Sequence, residues 1–191
     1  MSKVIKLDYA DTHRNIVEKC KRGNRQAQFE LYRLYSKAMY NICLRMVKSK
    51  LDAEDILQNS FVDIFSKLHT FKFQSSVGAW IKRIVINNCI NHLKKKKIYF
   101  DDLETRHANI LDEPMLEDEK LNVEFINQAI YQLPDGYRIV LTLYLLEGYD
   151  HKEIAQILSI SEATSKSQYS RAKKKIREII KTKHFRKNGT R

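Results

Sequence analysis

The sequence predicts an all-α protein, two small helical domains joined by a short acidic linker. Three observations carry that prediction. Gly and Pro number only 5 and 2 among 191 residues, so the turn formers that an all-β chain needs roughly every 8–12 residues are missing. Apolar residues make up 43% of the chain, enough for one sizeable core or two small ones, and they recur at intervals of three and four. Charge is divided by segment: residues 1–97 carry 20 basic and 8 acidic side chains, residues 98–120 carry 2 and 8, and residues 121–191 carry 13 and 7. Two basic blocks around an acidic connector fit two polyanion-binding modules on a linker. A basic helix face that is merely solvated remains the plainer alternative.

Several function classes drop out early. The first 14 residues contain no apolar core of signal-peptide length. The longest apolar stretch, 139–146, is interrupted by Thr142 and falls far short of a membrane span. Cys20, Cys43 and Cys89 are odd in number and far apart, which fits reduced thiols in a cytoplasmic protein. The six histidines are scattered without zinc-ligand spacing, so neither a metal nor another cofactor is expected.

The elements follow in order. Residues 1–24 read as an amino-terminal extension. Over 27–47 the apolar set Leu31, Leu34, Tyr35, Ala38, Ile42 and Met46 has helical spacing. A second helix is expected to start near Asp52 as N-cap, with Glu54 and Asp55 in the first turn, where carboxylates complement the helix dipole. Its buried stripe is Ala53, Leu57, Phe61, Ile64 and Leu68. Its other face shows Asp52, Asp55, Gln58, Asn59 and Asp63, an acidic surface inside the most basic block of the chain. Such a face repels phosphate and suits a basic protein surface; a capped, solvated helix explains it equally well.

Next comes a polar loop framed by Phe71, Phe73 and Trp80 and containing Ser75 and Ser76. It feeds a helix over 81–97 that carries Lys82, Arg83, Asn87, Asn88, Asn91 and a run of lysines. Rings beside cations and amides are the chemistry of single-stranded nucleic acid: bases stack, amides read edges and cations hold phosphates. Each ring taken singly reads more simply as a core plug.

Residues 98–120 form the acidic linker, with Pro114 inside it. Beyond it, Val123, Ile126, Ile130 and Leu133 make a helical stripe that Leu133-Pro134-Asp135-Gly136 stops. A helix over 137–146 ends at Gly148, suited to a left-handed cap. Asp150 with Glu153 has capping-box spacing. A short helix with Ile154, Ala155 and Leu158 inward then leads through Ser159-Ile160-Ser161 to a long helix from Glu162 to about 180. That is a helix-turn-helix, whose second helix shows Lys166, Ser167, Gln168, Ser170, Arg171, Lys173, Lys174 and Lys175, early polar residues within reach of base edges and later cations suited to phosphates. A tight αα-hairpin in a structural bundle is the alternative, and the basic second helix weighs against it.

Taken together, Ala53-Glu54-Asp55-Ile56-Leu57-Gln58 with Phe61, and Ser75-Ser76 followed by Trp80-Ile81-Lys82-Arg83-Ile84 with Asn87, resemble the first domain of extracytoplasmic-function sigma factors. Leu133-Pro134, Tyr137-Arg138, Gly148-Tyr149, Glu153-Ile154-Ala155 and Ser161-Glu162 with Arg171-Ala172 resemble their second domain. The resemblance implies a non-enzymatic subunit of bacterial RNA polymerase with domains at 25–97 and 121–191. By it, Asp52, Asp55 and Gln58, with Phe61 beneath, dock on the core enzyme. Phe71, Phe73, Ser75, Ser76, Trp80, Lys82, Arg83, Asn87, Asn88 and Asn91 take the non-template strand of the −10 element. Lys166, Ser167, Ser170, Arg171 and Lys174 serve the −35 element. An anti-sigma factor is a further implied partner. Ser159 and Ser165 depart from the family's usual Gly and Val.

Two other classes compete. A stand-alone helix-turn-helix transcriptional regulator leaves the aromatic loop and the acidic face unexplained. An enzyme acting on nucleic acid finds no metal-ligand spacing, phosphate-binding glycine loop or nucleophile–base pair in the chain.

Overall fold

The computed structural model describes residues 13–96 and 123–188, with side chains left aside at 123–125 and from 182 onward; the expected linker at 98–120 lies outside the described residues. Among the described residues every regular element is helical. The chain divides into two compact units between Lys95 and Lys96.

The first unit contains α1 (Arg14–Lys21), α2 (Arg25–Val47), α3 (Lys50–Lys67), a 3-10 turn at Leu68–Thr70, and α4 (Val77–Lys95). Part of the expected amino-terminal extension is thus a helix that packs on α2 through buried Val17 and Cys20. The core takes Leu31, Ile42 and Met46 from α2, Ala53, Leu57, Phe61 and Ile64 from α3, and Ile81, Val85 and Leu93 from α4. The stripe expected on α3 is buried throughout. On α2 the expectation fails in part: Leu34 is 44% exposed and Ala38 also faces water, while Met39 and Cys43 are buried. The reason is phase, since the face of α2 that meets α3 and α4 runs through 31, 39, 42, 43 and 46.

Caps explain the helix limits. Asn24 accepts from the Ala27 amide at 2.9 Å, and left-handed Lys48 (φ 63°) closes α2. The N-cap of α3 is Ser49, not Asp52: its hydroxyl accepts from the Asp52 amide at 3.2 Å, and Asp52 lies inside the first turn. At the start of α4 the Ser76 hydroxyl accepts from the Ala79 amide at 3.2 Å.

The second unit contains α5 (Val123–Tyr131), α6 (Asp135–Leu141), a π-helical turn (Thr142–Leu146), α7 (His151–Leu158) and α8 (Glu162–Asn188). Ile130, Leu133, Leu141 and Ala172 form a core cluster with Tyr137, Tyr169, Ile176 and Ile179 against it. Arg138 is almost fully buried and is held by the Asp135 carboxylate in the first turn of α6. The expected 137–146 helix is therefore split, its last turn widened by Glu147 N–H bonding to Thr142 O at 3.0 Å. The capping box is present, with Glu153 N to Asp150 Oδ1 at 2.7 Å and Asp150 N to Glu153 Oε2 at 2.8 Å. Ser159 is left-handed at φ 60° and caps α7, while Ser161 Oγ accepts from Thr164 N at 2.9 Å at the head of α8.

Candidate functional site

Each unit presents its own candidate surface. In the first, α3 shows Leu51, Glu54, Asp55, Gln58, Asn59 and Val62 to solvent. Leu51 is 79% and Val62 69% exposed, and at eleven residues apart they share one helix face with Asp55 and Gln58. Sequence reasoning missed both apolar residues, although they stand in register with the carboxylate it selected. Asp52 is placed differently from that reasoning. One turn from buried Ile56, it faces α4, with its Oδ2 3.6 Å from His92 Nε2. Phe61 lies beneath the exposed face, buried, with Tyr32 edge-on at 4.7 Å.

The loop after α3 is built on a buried ring. Phe71 is 4% exposed and packs between Phe73, at 4.9 Å between centroids, and Trp80, at 5.2 Å. It is the floor of the loop, whereas Phe73 and Trp80 stand half-exposed above it. Ser75 is exposed; the Ser76 hydroxyl is occupied in capping α4. Phe73 adopts φ 56°, a left-handed conformation that costs a bulky residue about 1–2 kcal/mol. Cations from α1 meet its ring: Arg14 Cζ lies 4.7 Å and Lys21 Nζ 4.5 Å from the centroid. Such contacts contribute about 0.5–1 kcal/mol each at exposed sites, comparable to the backbone cost. Lys21 Nζ also donates to Phe71 O at 2.8 Å. Farther along, Tyr35 accepts or donates a 2.8 Å hydrogen bond with His13 Nδ1. Its ring closes on Gly78, where an added Cβ would come within 3.0 Å of Tyr35 Cε1.

On α4 the phase set by Ile81, Val85 and Cys89 divides the polar residues. Arg83, Asn87 and Asn91 lie exposed along one stripe, with Lys82 half-exposed beside it. Asn88 points elsewhere: its amide donates to Ser60 Oγ at 3.1 Å and to Asp63 Oδ2 at 2.9 Å, tying α4 to α3. Its side chain is thus a strut between helices, and it is not in the exposed stripe where the sequence grouped it.

In the second unit Lys166 and Lys174 of α8 are exposed, and Ser167, Ser170 and Arg171 are half-buried. Lys166 pairs with Glu162 at 2.7 Å, which holds the Glu162 carboxyl below its usual range. Ser165 is fully buried and bonds His151 Nδ1 at 2.9 Å. His151 in turn stacks on Tyr144 at 4.4 Å and 15°, and Tyr169 meets Tyr144 at 4.5 Å. A buried hydroxyl in the packing of α8 is thereby satisfied by a histidine fourteen residues earlier. Burial, with Lys166 nearby, pushes the His151 pKa down. The π turn also leaves Leu145 and Leu146 exposed beside Tyr144.

Comparison with known proteins gives these surfaces a family. Residues 31–98 match Sigma-70 region 2 and residues 126–176 match Sigma-70, region 4. ECF RNA polymerase sigma factor SigM of Bacillus subtilis is 32% identical over 154 residues, 78% of this chain and 93% of that protein. ECF RNA polymerase sigma factor SigW of the same organism is 29% identical over 177 residues, 86% of this chain and 95% of that protein. In fold the chain is similar to the sigma factor RpoE solved with the anti-sigma factor NepR from Bartonella quintana. That match has a TM-score of 0.54 at 20% identity and covers 80% of this chain and 95% of that one.

Two helical units, one matched to region 2 and one to region 4, define a sigma factor. The chain belongs to the extracytoplasmic-function (ECF) family of RNA polymerase sigma factors. It is a promoter-specificity subunit of RNA polymerase, which overrides the stand-alone regulator. No helix of the described residues is long and apolar enough to cross a membrane.

Proposed function

We propose that the chain docks on core RNA polymerase through the exposed face of α3, with Asp55 and Gln58 flanked by Leu51 and Val62. Asp52 and Phe61 support that face from below. Phe73 and Trp80, on the floor made by Phe71, then receive bases of the non-template −10 strand, with Ser75 at the open edge of the loop. Lys82, Arg83, Asn87 and Asn91 follow that strand along α4, while Ser76 and Asn88 hold the loop and the helix in place. In the second unit Lys166, Ser167, Ser170 and Arg171 meet the −35 element in the major groove and Lys174 meets phosphate. Extruding a base costs a few kcal/mol, which a preformed loop and a basic groove offset.

The domains we assign are 25–97 and 121–191, joined by the acidic segment 98–120, with 1–24 ahead of them. The chain performs no chemistry of its own, and the phosphoryl transfer belongs to the polymerase. Its site of action is the cytoplasm, where polymerase and promoter meet. An anti-sigma factor is a partner suited to it, since the RpoE fold to which the chain is similar was solved in complex with one.

One observation carries this reading: an exposed acidic and apolar face on α3 sits in the same compact unit as a basic, aromatic, partly open loop. The two call for different partners, one a protein and one a polyanion. Run-off transcription tests it. Purified chain added to bacterial core enzyme should select promoters from a randomised library, and transcription no higher than with core alone would sink the reading.

A further inference from the structure

The helix ahead of the matched region 2 has no role in the reading above, yet its contacts converge on one loop. Lys21 Nζ donates to the Phe71 carbonyl at 2.8 Å and lies 4.5 Å from the centre of the Phe73 ring. Arg14 Cζ lies 4.7 Å from the same ring. Phe73 is held at φ 56°, where a bulky residue does not rest unaided. The other end of the loop is fixed through the same helix border: His13 bonds Tyr35 at 2.8 Å, and Tyr35 closes on Gly78 in the first turn of α4. Glu18, 3.8 Å from Lys21, keeps that ammonium over the loop. Several contacts from fewer than ten residues of chain therefore determine one backbone conformation.

We propose that α1 is a brace for strand capture, with Lys21 as the positioning residue that holds Phe73 left-handed so that the 71–76 loop is shaped before DNA arrives. The inference rests on the reading of that loop as the site of the non-template −10 strand. Left-handed Phe73 turns the chain sharply between Lys72 and Gln74, which presents Gln74 and Ser75 outward while Phe71 stays buried below. Without the cations the backbone relaxes toward an ordinary conformation. An incoming strand must then order the loop at its own expense, and its apparent affinity is the intrinsic affinity multiplied by the fraction of loop already in the binding shape.

The test uses holoenzyme assembled from core polymerase and the full chain. It measures binding of a labelled single-stranded −10 oligonucleotide and, separately, of a duplex −35 probe. Lys21→Met should weaken single-strand binding about three- to tenfold, the range expected for loss of a charged donor and one cation–π contact. It should leave the −35 duplex unaffected, and Lys21→Arg should restore binding. Phe73→Gly removes both the ring and the backbone penalty. In that background Lys21→Met should lose most of its effect, about twofold or less remaining, because coupled residues are not additive.

An undiminished Lys21→Met effect in the Phe73→Gly background would mark general damage to the unit and overturn the brace. So would wild-type binding by Lys21→Met while Asn87→Ala, a variant of the proposed contact surface, binds weakly. If neither variant changes single-strand binding, the strand-capture reading falls and the brace with it. Should Lys21→Met fold poorly, Arg14→Gln carries the same expectation at smaller amplitude, and no shift there overturns the proposal.

Discussion

Docking on the polymerase makes the most demanding prediction, because sequence and structure weigh the residues of α3 differently. Leu51 is 79% exposed, so its removal costs the free protein little. Fully burying a leucine side chain contributes about 1.5–3 kcal/mol, and roughly four-fifths of that is still available to a partner. Leu51→Ala keeps one carbon and should therefore cost about 1–2 kcal/mol in core binding, or about 5–30-fold in Kd. Asp55→Lys should weaken binding as well, through a slower association rate that converges on wild type as salt is raised, the behaviour of an exposed interfacial charge. Asp52→Asn should behave otherwise. Asp52 faces His92 at 3.6 Å inside the unit, so its loss should lower thermal stability while leaving the affinity of the folded protein for core nearly unchanged.

The assay is a titration of labelled protein with core enzyme at low and high salt, beside thermal unfolding of each variant alone. Duplex −35 binding by the same variants is the internal control, since α8 lies in the other unit. The reasoning is refuted if Leu51→Ala and Asp55→Lys bind core like wild type while Asp52→Asn does not. That pattern would put the contact on the α4 side of α3.

The second unit supplies the other predictions. Arg171→Ala should cost about 1–3 kcal/mol on the preferred −35 sequence and less on others, read by competition between duplexes; an equal loss on all sequences would make Arg171 a phosphate contact. His151 should make the stability of this unit pH-dependent. Its pKa is lowered in the fold by burial and by Lys166, so the unfolded chain takes up the proton first and stability declines as pH falls below about 6.5. His151→Asn should flatten that decline in chemical denaturation, and an unaltered pH slope would remove His151 as its source.

How much of this was open to sequence reasoning varies with the range of the interaction. The α3 stripe was legible because one helix face is set by spacing alone, and all of its residues are buried. The left-handed cap at Ser159 was hinted at only by the resemblance, in which Gly is usual at that place, and the structure supplies its φ of 60°. Leu34 misled because apolar character does not reveal which neighbours a helix has; α2 touches α1, α3 and α4, and its true face follows from them. Asn88 was separable from Asn87 once Ile81, Val85 and Cys89 fixed the phase of α4, a signal present in the sequence. Ser49 could likewise have been found, because Ser49-Lys50-Leu51-Asp52 has the spacing of a capping sequence.

What sequence reasoning could not reach is the pairing of distant parts. Lys21 meets the Phe71 carbonyl fifty residues away, and no local pattern announces a phenylalanine at φ 56°. Strain of this kind appears only where surrounding structure over-determines it, and that is also where function concentrates. The same holds for Ser165, which reads as a polar intruder in α8 until His151 is found beside it. In both cases a locally unfavourable residue is stabilised by titratable or cationic side chains from another helix of its unit, Arg14 and Lys21 of α1 for Phe73 and His151 of α7 for Ser165. The exposed face of α3 needs no such support, because its phase follows from the buried stripe opposite it, although Leu51 and Val62 on that face escaped the sequence reading. The loop at 71–76 and α8 do need it, so each takes its geometry from side chains on another helix of its own unit.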